Sequence, residues 1–213
     1  MKNLIISIAI LFVATSTQAQ DRYTQGMEQG FKLWKENKTT EASAIFQRIA
    51  QAEKDNWIPY YYATNVLVAS SFTTKDKAKV NEMLEKSQEL IAKAHEISPD
   101  NTELLTMEGL IYTGYVAMEP ETYAMQYSSK IMGLHAQALE LDDTNPRAHF
   151  NKIEYEIGTA RFFQQDLTTF CEGLENTRAL FENQESDVPF YPSYGLERLE
   201  ATLTQCECPT KSK

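Results

Sequence analysis

Residues 30–56 read GFKLWKENKTTEASAIFQRIAQAEKDN, and this stretch decides the fold class. Two apolar helical patterns flank the polar turn Asn37-Lys38-Thr39, and good helix formers fill both of them. Gly30 and Ala42 stand where the two helices must touch, because only small side chains let neighbouring helices approach closely. The stretch therefore predicts an antiparallel pair of helices.

Similar pairs recur along the chain. Ala94 lies five residues before Pro99, and Ala138 lies shortly before the turn at residues 142–146. This spacing is typical of the tetratricopeptide repeat (TPR), a helix–turn–helix unit with a period of about 34 residues. We predict an all-α fold, a TPR-like right-handed solenoid of about four degenerate helix pairs with a C-terminal capping helix. An irregular helical bundle is the alternative architecture.

The first residues are predicted to be a signal peptide. Lys2 is followed by an apolar run from Leu4 to Ala14, and Thr17 and Ala19 fit the positions that signal peptidase reads. The run is too short for a membrane span of about 20 residues, and no lipobox cysteine follows it. We expect a signal peptide over residues 1–19 and a single domain over residues 20–213, located in the periplasm or secreted.

The amino-acid composition and the net charge limit the kinds of partner that this protein is expected to bind. Helix formers dominate, glycine and proline number only 8 and 7, and the net charge is −10. Binding to nucleic acid depends on lysine and arginine that neutralise phosphates, so this acidity argues against it and equally against an anionic membrane surface. The acidity itself fits either solubility or a preference for basic partners.

Three short motifs resemble a known group of proteins. They are residues 57–63 (WIPYYYA), residues 145–148 (NPRA), and residues 192–195 (PSYG) followed by a terminal cysteine. In these motifs the chain resembles small exported TPR-like proteins of Bacteroidota, although Tyr194 replaces the usual Trp and residues 162–165 replace a Gly-rich loop. The resemblance covers nearly all of the mature chain and implies an exported helical-repeat protein. The group has no established biochemical role to carry over.

Motifs for catalysis, metal binding or cofactor binding are absent from the sequence. His95, His135 and His149 have no metal-ligand spacing, and no pair of carboxylates is set apart as acid and base. The Asp-rich turn at residues 142–145 lacks the glycine and the distal glutamate of a calcium loop. We therefore predict no enzyme activity, no catalytic residues, no metal and no cofactor.

The cysteines permit a disulfide. Cys171, Cys206 and Cys208 leave one thiol unpaired in an oxidising compartment. A bond between Cys206 and Cys208 would close a strained ring, whereas Cys171 would meet either of them if the capping helix folds back. Reduced thiols are the open alternative.

Aromatic residues carry the functional hypothesis. Consecutive residues Tyr60, Tyr61 and Tyr62 spread through about 200° around a helix, so at least one ring points to the groove, to a neighbouring repeat or to solvent. The predicted partner-binding groove on the concave face consists of Tyr60, Tyr61, Asn65, Tyr112, Asn151 and Tyr155. We predict a scaffold that binds a protein or peptide segment there, since Tyr combines apolar area with a polar tip. The alternative is a structural or assembly subunit that uses its helical surface as an oligomer interface.

Overall fold

The all-α prediction is confirmed. The structure, a computed structural model, describes residues 21–209, and this part of the chain contains nine α-helices and no strand. The predicted signal peptide lies outside the described residues. The helices are α1 (21–35), α2 (Thr39–Ala52), α3 (Ile58–Ser71), α4 (Lys77–Ile97), α5 (Thr102–Met118), α6 (Pro120–Leu141), α7 (Pro146–Phe162), α8 (Cys171–Glu182) and α9 (Leu196–Gln205).

The first eight helices form four consecutive pairs, α1–α2, α3–α4, α5–α6 and α7–α8, with short polar connections. Each of three helices begins where a side chain caps its free backbone N–H groups: Asp76 accepts from α4, Asn101 from α5 and Asn145 from α7. Because these caps are local in sequence, the turns before α4, α5 and α7 fall close to where the sequence places them. No helix in the described part of the chain is long and apolar enough to cross a membrane.

The helices α3 and α5 lie at the centre of the fold. Most of their residues are buried, and both helices are apolar almost all round rather than on one stripe. A helix that is apolar all round is covered by neighbours on every side. For α3 and α5, the paired helix and the adjacent pair cover only part of the circumference, so another segment must cover the rest.

That segment is the stretch between α8 and α9, residues 184–195, which we call the strap. Phe190 packs against Tyr23 and Phe31 of α1, with ring centroids 5.5 and 6.0 Å apart. Further along, Tyr191 meets Trp57 at the start of α3. The strap therefore runs across the first helices of the pairs, on the face where we predicted partner binding.

Gly30 lies at a close contact in the first pair, as predicted, but the residue that it meets is Phe46, and the predicted place of Ala42 at the same contact stays a prediction. Gly30 lies against the Phe46 ring, so a Cβ atom added at Gly30 would be 2.5 Å from Phe46 Cε1. Both residues are buried, and Phe46 has no exposed surface. Neither a backbone nor a buried ring can move aside easily in a packed core, so this contact requires glycine.

Gly30→Ala is expected to lower the free energy of unfolding by about 1–3 kcal/mol, because the added methyl group overpacks the contact with Phe46. The matched control is Gly158→Ala on α7, where a Cβ atom meets nothing within 4 Å. The control is expected to gain roughly 0.5–1 kcal/mol, since alanine is the better helix former. Urea unfolding followed by circular dichroism measures both, and equal effects of the two substitutions would contradict the assignment.

Candidate functional site

The six predicted groove residues do not form one site. Tyr61 and Asn65 lie in the core at 1% and 4% exposure, and the strap covers them. The prediction that these two side chains contact a partner is wrong in this structure, because α3 turns them toward the strap. The neighbouring Tyr60 points the other way, into a shallow cleft of about 400 Å³ between α2 and α4.

The other three predicted residues lie elsewhere. Tyr112 forms part of a cleft between α4 and α5. Tyr155 is half-buried on α7 and donates a hydrogen bond to Ser128 of α6 at 2.8 Å. Asn151, one helical turn earlier, is also half-buried. The role of Tyr112, Asn151 and Tyr155 in partner binding stays a prediction, and Tyr112 lies on a different surface from the other two.

Beneath the strap lies a buried ion pair. Arg147 donates through Nε and Nη2 to the two carboxylate oxygens of Glu103, each at 2.7 Å, and their side chains are 3% and 0% exposed. Asn145 donates a further hydrogen bond to Glu103 at 2.7 Å. This pair joins α5 to α7 in the centre of the molecule.

The strap completes the coordination of this ion pair. Arg147 Nη1 donates to Gln184 Oε1 at 2.9 Å and to the backbone oxygen of Tyr194 at 3.2 Å. The Tyr194 hydroxyl is hydrogen-bonded to the Tyr61 hydroxyl. Burial opposes the charge on Arg147, but the hydrogen bonds and the charge of Glu103 outweigh it, so the pKa of Arg147 is raised. Arg147 therefore stays charged and fastens the strap.

The open candidate site is the α4–α5 cleft, with a volume of about 530 Å³. Its volume falls within the range of roughly 300–1,000 Å³ that is usual for ligand sites. The residues that line it are Gln88, Ile91, Ala92, His95 and Glu96 of α4 and Glu108 and Tyr112 of α5. Apolar and polar side chains thus meet in one depression between α4 and α5.

A tyrosine cluster adjoins this cleft. It consists of Tyr112 and Tyr115 of α5 and Tyr123 and Tyr127 of α6. The rings of Tyr112 and Tyr127 are 4.9 Å apart, and Tyr123 and Tyr127 stack at 5.6 Å with an interplanar angle of 8°. Burial raises the pKa of Tyr115 to about 12. The α6 rings are half-exposed, so the cluster offers a rigid aromatic surface beside the cleft.

Charged groups also border the α4–α5 cleft. Glu108 Oε2 lies 3.3 Å from His95 Nε2, and Glu108 Oε1 lies 3.2 Å from Lys130 Nζ of α6. Lys130 also donates to the Tyr112 hydroxyl at 2.6 Å. The hydrogen bond from His95 and the hydrogen bond and charge of Lys130 lower the pKa of Glu108, although burial opposes them. Glu108 is therefore an ionised carboxylate at neutral pH.

Sequence reasoning found Tyr112 but missed its surroundings. Glu108 and Lys130 read as polar-face charges, and Tyr115, Tyr123 and Tyr127 are spread over two helices. The signal that was available is the spacing of Glu108, Tyr112 and Tyr115, which places all three on one face of α5. The spacing does not show which helix packs against that face of α5.

His135 is packed in the core. It is 1% exposed, touches Gly109 of α5, and neither ring nitrogen has a hydrogen-bond partner in the described part of the chain. Burial and the nearby charge of Lys152 lower the pKa of His135 to about 4. The histidine is therefore neutral in the folded protein and has no open nitrogen for a ligand.

Stability is expected to fall as pH drops from about 6.5 toward 4, because the unfolded chain binds a proton at His135 that the folded protein resists. The folded-state pKa is depressed, so the stabilisation is complete above the unfolded value of about 6.5 and amounts to about 3 kcal/mol. Urea unfolding at pH 7, 6, 5 and 4.5 measures the slope. In His135→Leu, the loss in the free energy of unfolding between pH 7 and pH 4.5 should be smaller by about this amount. An unchanged pH dependence would rule out His135 as its source.

Among residues 21–209, no three His, Cys, Asp or Glu side chains converge on a site that would hold a metal ion.

The cysteines form one disulfide bond, between Cys171 and Cys208, and the thiol of Cys206 is free and buried. A disulfide of this kind fits an exported protein.

Comparison with family models and with curated protein sequences finds no match. Among solved structures, the fold is similar to that of the HusA haemophore from Porphyromonas gingivalis, with a TM-score of 0.76. The alignment covers 90% of this chain and 96% of that one at 18% identity. At this identity the likeness concerns the fold, which is shared over nearly the whole length.

Proposed function

We propose that this protein is an exported, non-enzymatic scaffold that binds a protein segment in the α4–α5 cleft and over the adjoining tyrosine cluster. The observation that carries the proposal is the aromatic surface itself: half-exposed, mutually stacked rings border a cleft with fixed charges. Tyrosine rings are rigid and amphipathic, which makes them frequent anchors at protein interfaces. The strap packs on α1, α3 and α7 through Phe190, Tyr191 and Tyr194.

The similar structure is that of a haemophore, so haem is the alternative ligand to consider. A histidine-ligated haem requires a ring nitrogen open to the iron. His95 Nε2 faces Glu108, His149 Nε2 lies 2.8 Å from the Asp143 carbonyl oxygen, and His135 is buried. The Nε2 atoms of His95 and His149 are therefore engaged with other groups, and both ring nitrogens of His135 are enclosed, which gives haem ligation by these atoms no support. A haem titration followed by visible absorption tests this alternative directly.

Site-specific photo-crosslinking tests the proposed function. A photoreactive phenylalanine analogue replaces Tyr123 in the full chain, expressed in its native cell, and crosslinked peptides are identified by mass spectrometry. The control places the analogue at Tyr60, which lines the neighbouring cleft between α2 and α4; of the residues that line the two clefts, only Glu96 belongs to both. We expect one recurrent partner segment at Tyr123 and not at Tyr60, and we expect the crosslink to weaken when Tyr127→Ala is added.

Two results would contradict the proposal. Equal crosslinking at Tyr60 and Tyr123 would indicate nonspecific contact, and undiminished crosslinking with Tyr127→Ala would remove the tyrosine cluster from the binding site. A thermal melt of each variant, expected to match that of the parent chain, separates lost binding from lost folding.

Self-association is the second candidate function, and one exposed apolar edge favours it. Met125 is 97% exposed, and Phe162 and Phe163 are 68% and 65% exposed. The rings of Phe162 and Phe163 lie 5.2 Å apart at the end of α7. Exposed apolar side chains that lie together mark interaction surfaces. A molar mass that rises with concentration, and returns to that of one chain in the Phe162→Ser/Phe163→Ser variant, would support it.

A further inference from the structure

Residues 190–209 comprise the aromatic half of the strap and α9, and we call them the C-terminal unit. Its helix, α9, packs mainly on α8. The buried leucines of α9, Leu199 and Leu203, belong to a small apolar cluster of α7, α8 and α9, whereas the main apolar core is built from α1 to α6. The C-terminal unit therefore meets the main core through the strap and not through its helix.

The chain has a hinge directly before this unit. Residues 185–189 are exposed one after another and belong to no helix. Even the apolar residue among them, Val188, is 51% exposed. A segment without buried side chains loses little packing when its backbone turns, so the C-terminal unit can pivot here.

Movement of the C-terminal unit away from α3 would leave the buried ion pair intact. Arg147 keeps its two hydrogen bonds to Glu103, because these residues lie on α7 and α5. Its bond to Gln184 also stays, since Gln184 precedes the hinge, and only the carbonyl oxygen of Tyr194 is replaced by water. Movement also gives water to Asn65, whose buried Nδ2 makes no hydrogen bond of normal geometry beneath the strap.

A disulfide holds the far end of the C-terminal unit. Cys171 begins α8, and Cys208 lies just after the end of α9, so the bond ties the end of the unit to α8. The hinge ties its other end, and the unit cannot leave while both connections exist. Both cysteines are half-buried, which leaves the bond within reach of a small reductant.

We infer that the Cys171–Cys208 bond is a redox-sensitive latch. While the bond is intact, the C-terminal unit covers the face of α3 that carries Trp57, Tyr61 and Asn65. When a dithiol reduces the bond, the unit moves away about residues 185–189 and uncovers that face. This inference concerns a different surface from the proposed function and does not rest on it.

The reduction is an ordinary thiol–disulfide exchange. One thiolate of the dithiol attacks a sulfur of the Cys171–Cys208 bond and expels the other cysteine as a thiolate. The second thiol of the reductant then attacks the mixed disulfide, so the reductant is oxidised to its own disulfide and both cysteines are released as thiols.

Urea unfolding with two probes tests the inference on the full chain. Trp34→Phe leaves Trp57 as the single tryptophan, and its ring meets Tyr191 of the C-terminal unit. With the bond intact, Trp57 fluorescence and circular dichroism should report one common transition. After reduction with dithiothreitol, the fluorescence transition should lie at least about 1 M urea below the circular-dichroism transition, because Trp57 is uncovered before the helices unfold.

Three further chains locate the effect. In Trp57→Phe the remaining Trp34, which packs on the main core, should follow circular dichroism in both redox states. Trp34→Phe/Cys171→Ser should show the separated transitions without reductant. The parent chain, which retains both tryptophans, should show two fluorescence steps only after reduction.

Two results would overturn the inference. Alkylation followed by mass spectrometry first confirms that the bond is reduced. A Trp57 transition that then still coincides with circular dichroism would mean that the strap stays in place without the bond. A Trp34 transition that moves together with that of Trp57 would mean that reduction loosens the whole fold.

Discussion

Arg147→Met is expected to lower the free energy of unfolding by about 3–5 kcal/mol, because it leaves the Glu103 carboxylate buried without a counter-charge. Both side chains are almost fully enclosed, and two hydrogen bonds of 2.7 Å join them. Water cannot replace the lost guanidinium in so confined a place. Urea unfolding at pH 7, followed by circular dichroism, measures the change.

Arg198→Met is the matched control for this prediction. Arg198 also donates two hydrogen bonds to one carboxylate, that of Glu154, at 2.7 and 2.9 Å, but its side chain is 65% exposed. Arg198 is open to solvent, whereas Glu154 is only 19% exposed, so this pair is half-exposed and the control should lose clearly less than Arg147→Met, about 1–2 kcal/mol. Similar losses in the two variants would show that burial is not the reason for the effect.

A double variant separates the ion pair from the desolvation of a lone charge. Glu103→Leu/Arg147→Met removes both charges and is expected to be at least as stable as Arg147→Met alone, since no unpaired carboxylate remains in the core. Asn145 loses one acceptor in this variant, so full recovery is not expected. A double variant less stable than the single one would mean that the hydrogen-bond network matters more than the charge.

The helix pairs were predictable because their signals are local. A turn such as residues 142–146 contains its own cap at Asn145 and a proline suited to the first helical turn, so it ends one helix and begins the next without help from distant residues. The contact of Gly30 with Phe46 is likewise set within a single helix pair, since the two residues face each other across one short turn.

The orientation of α3 was not predictable from the sequence. Helical geometry fixes the angle between Tyr60 and Tyr61 at about 100°, but it does not say which of the two faces the core. In most helices an apolar stripe answers that question, and α3 is apolar on all sides. The sequence therefore does not show that Tyr61 and Asn65 face the core. In the structure the strap covers both residues.

The ion pair and the strap were missed because their partners are far apart in the chain. Glu103 and Arg147 are separated by 44 residues, and each reads locally as an ordinary residue of a first helical turn. One available signal pointed to the strap: residues 190–194 hold three aromatic rings in a stretch that proline keeps from forming a helix. Aromatic residues outside a helix bury their rings against an apolar surface. Here that surface belongs to the first helices of the pairs.

Cys171→Ser is expected to lower the free energy of unfolding by about 4 kcal/mol, because the Cys171–Cys208 bond closes a long loop and so restricts the unfolded chain. The two residues are 37 apart in sequence, and the loop between them contains the whole strap. Urea unfolding with and without dithiothreitol measures the effect: reduction should destabilise the parent chain by the same amount and leave Cys171→Ser unchanged. The control is Cys206→Ala, which removes the free buried thiol from the same region without opening the loop and should cost about 1 kcal/mol. If the control loses as much as Cys171→Ser, packing around α9 rather than loop closure holds this end of the molecule together.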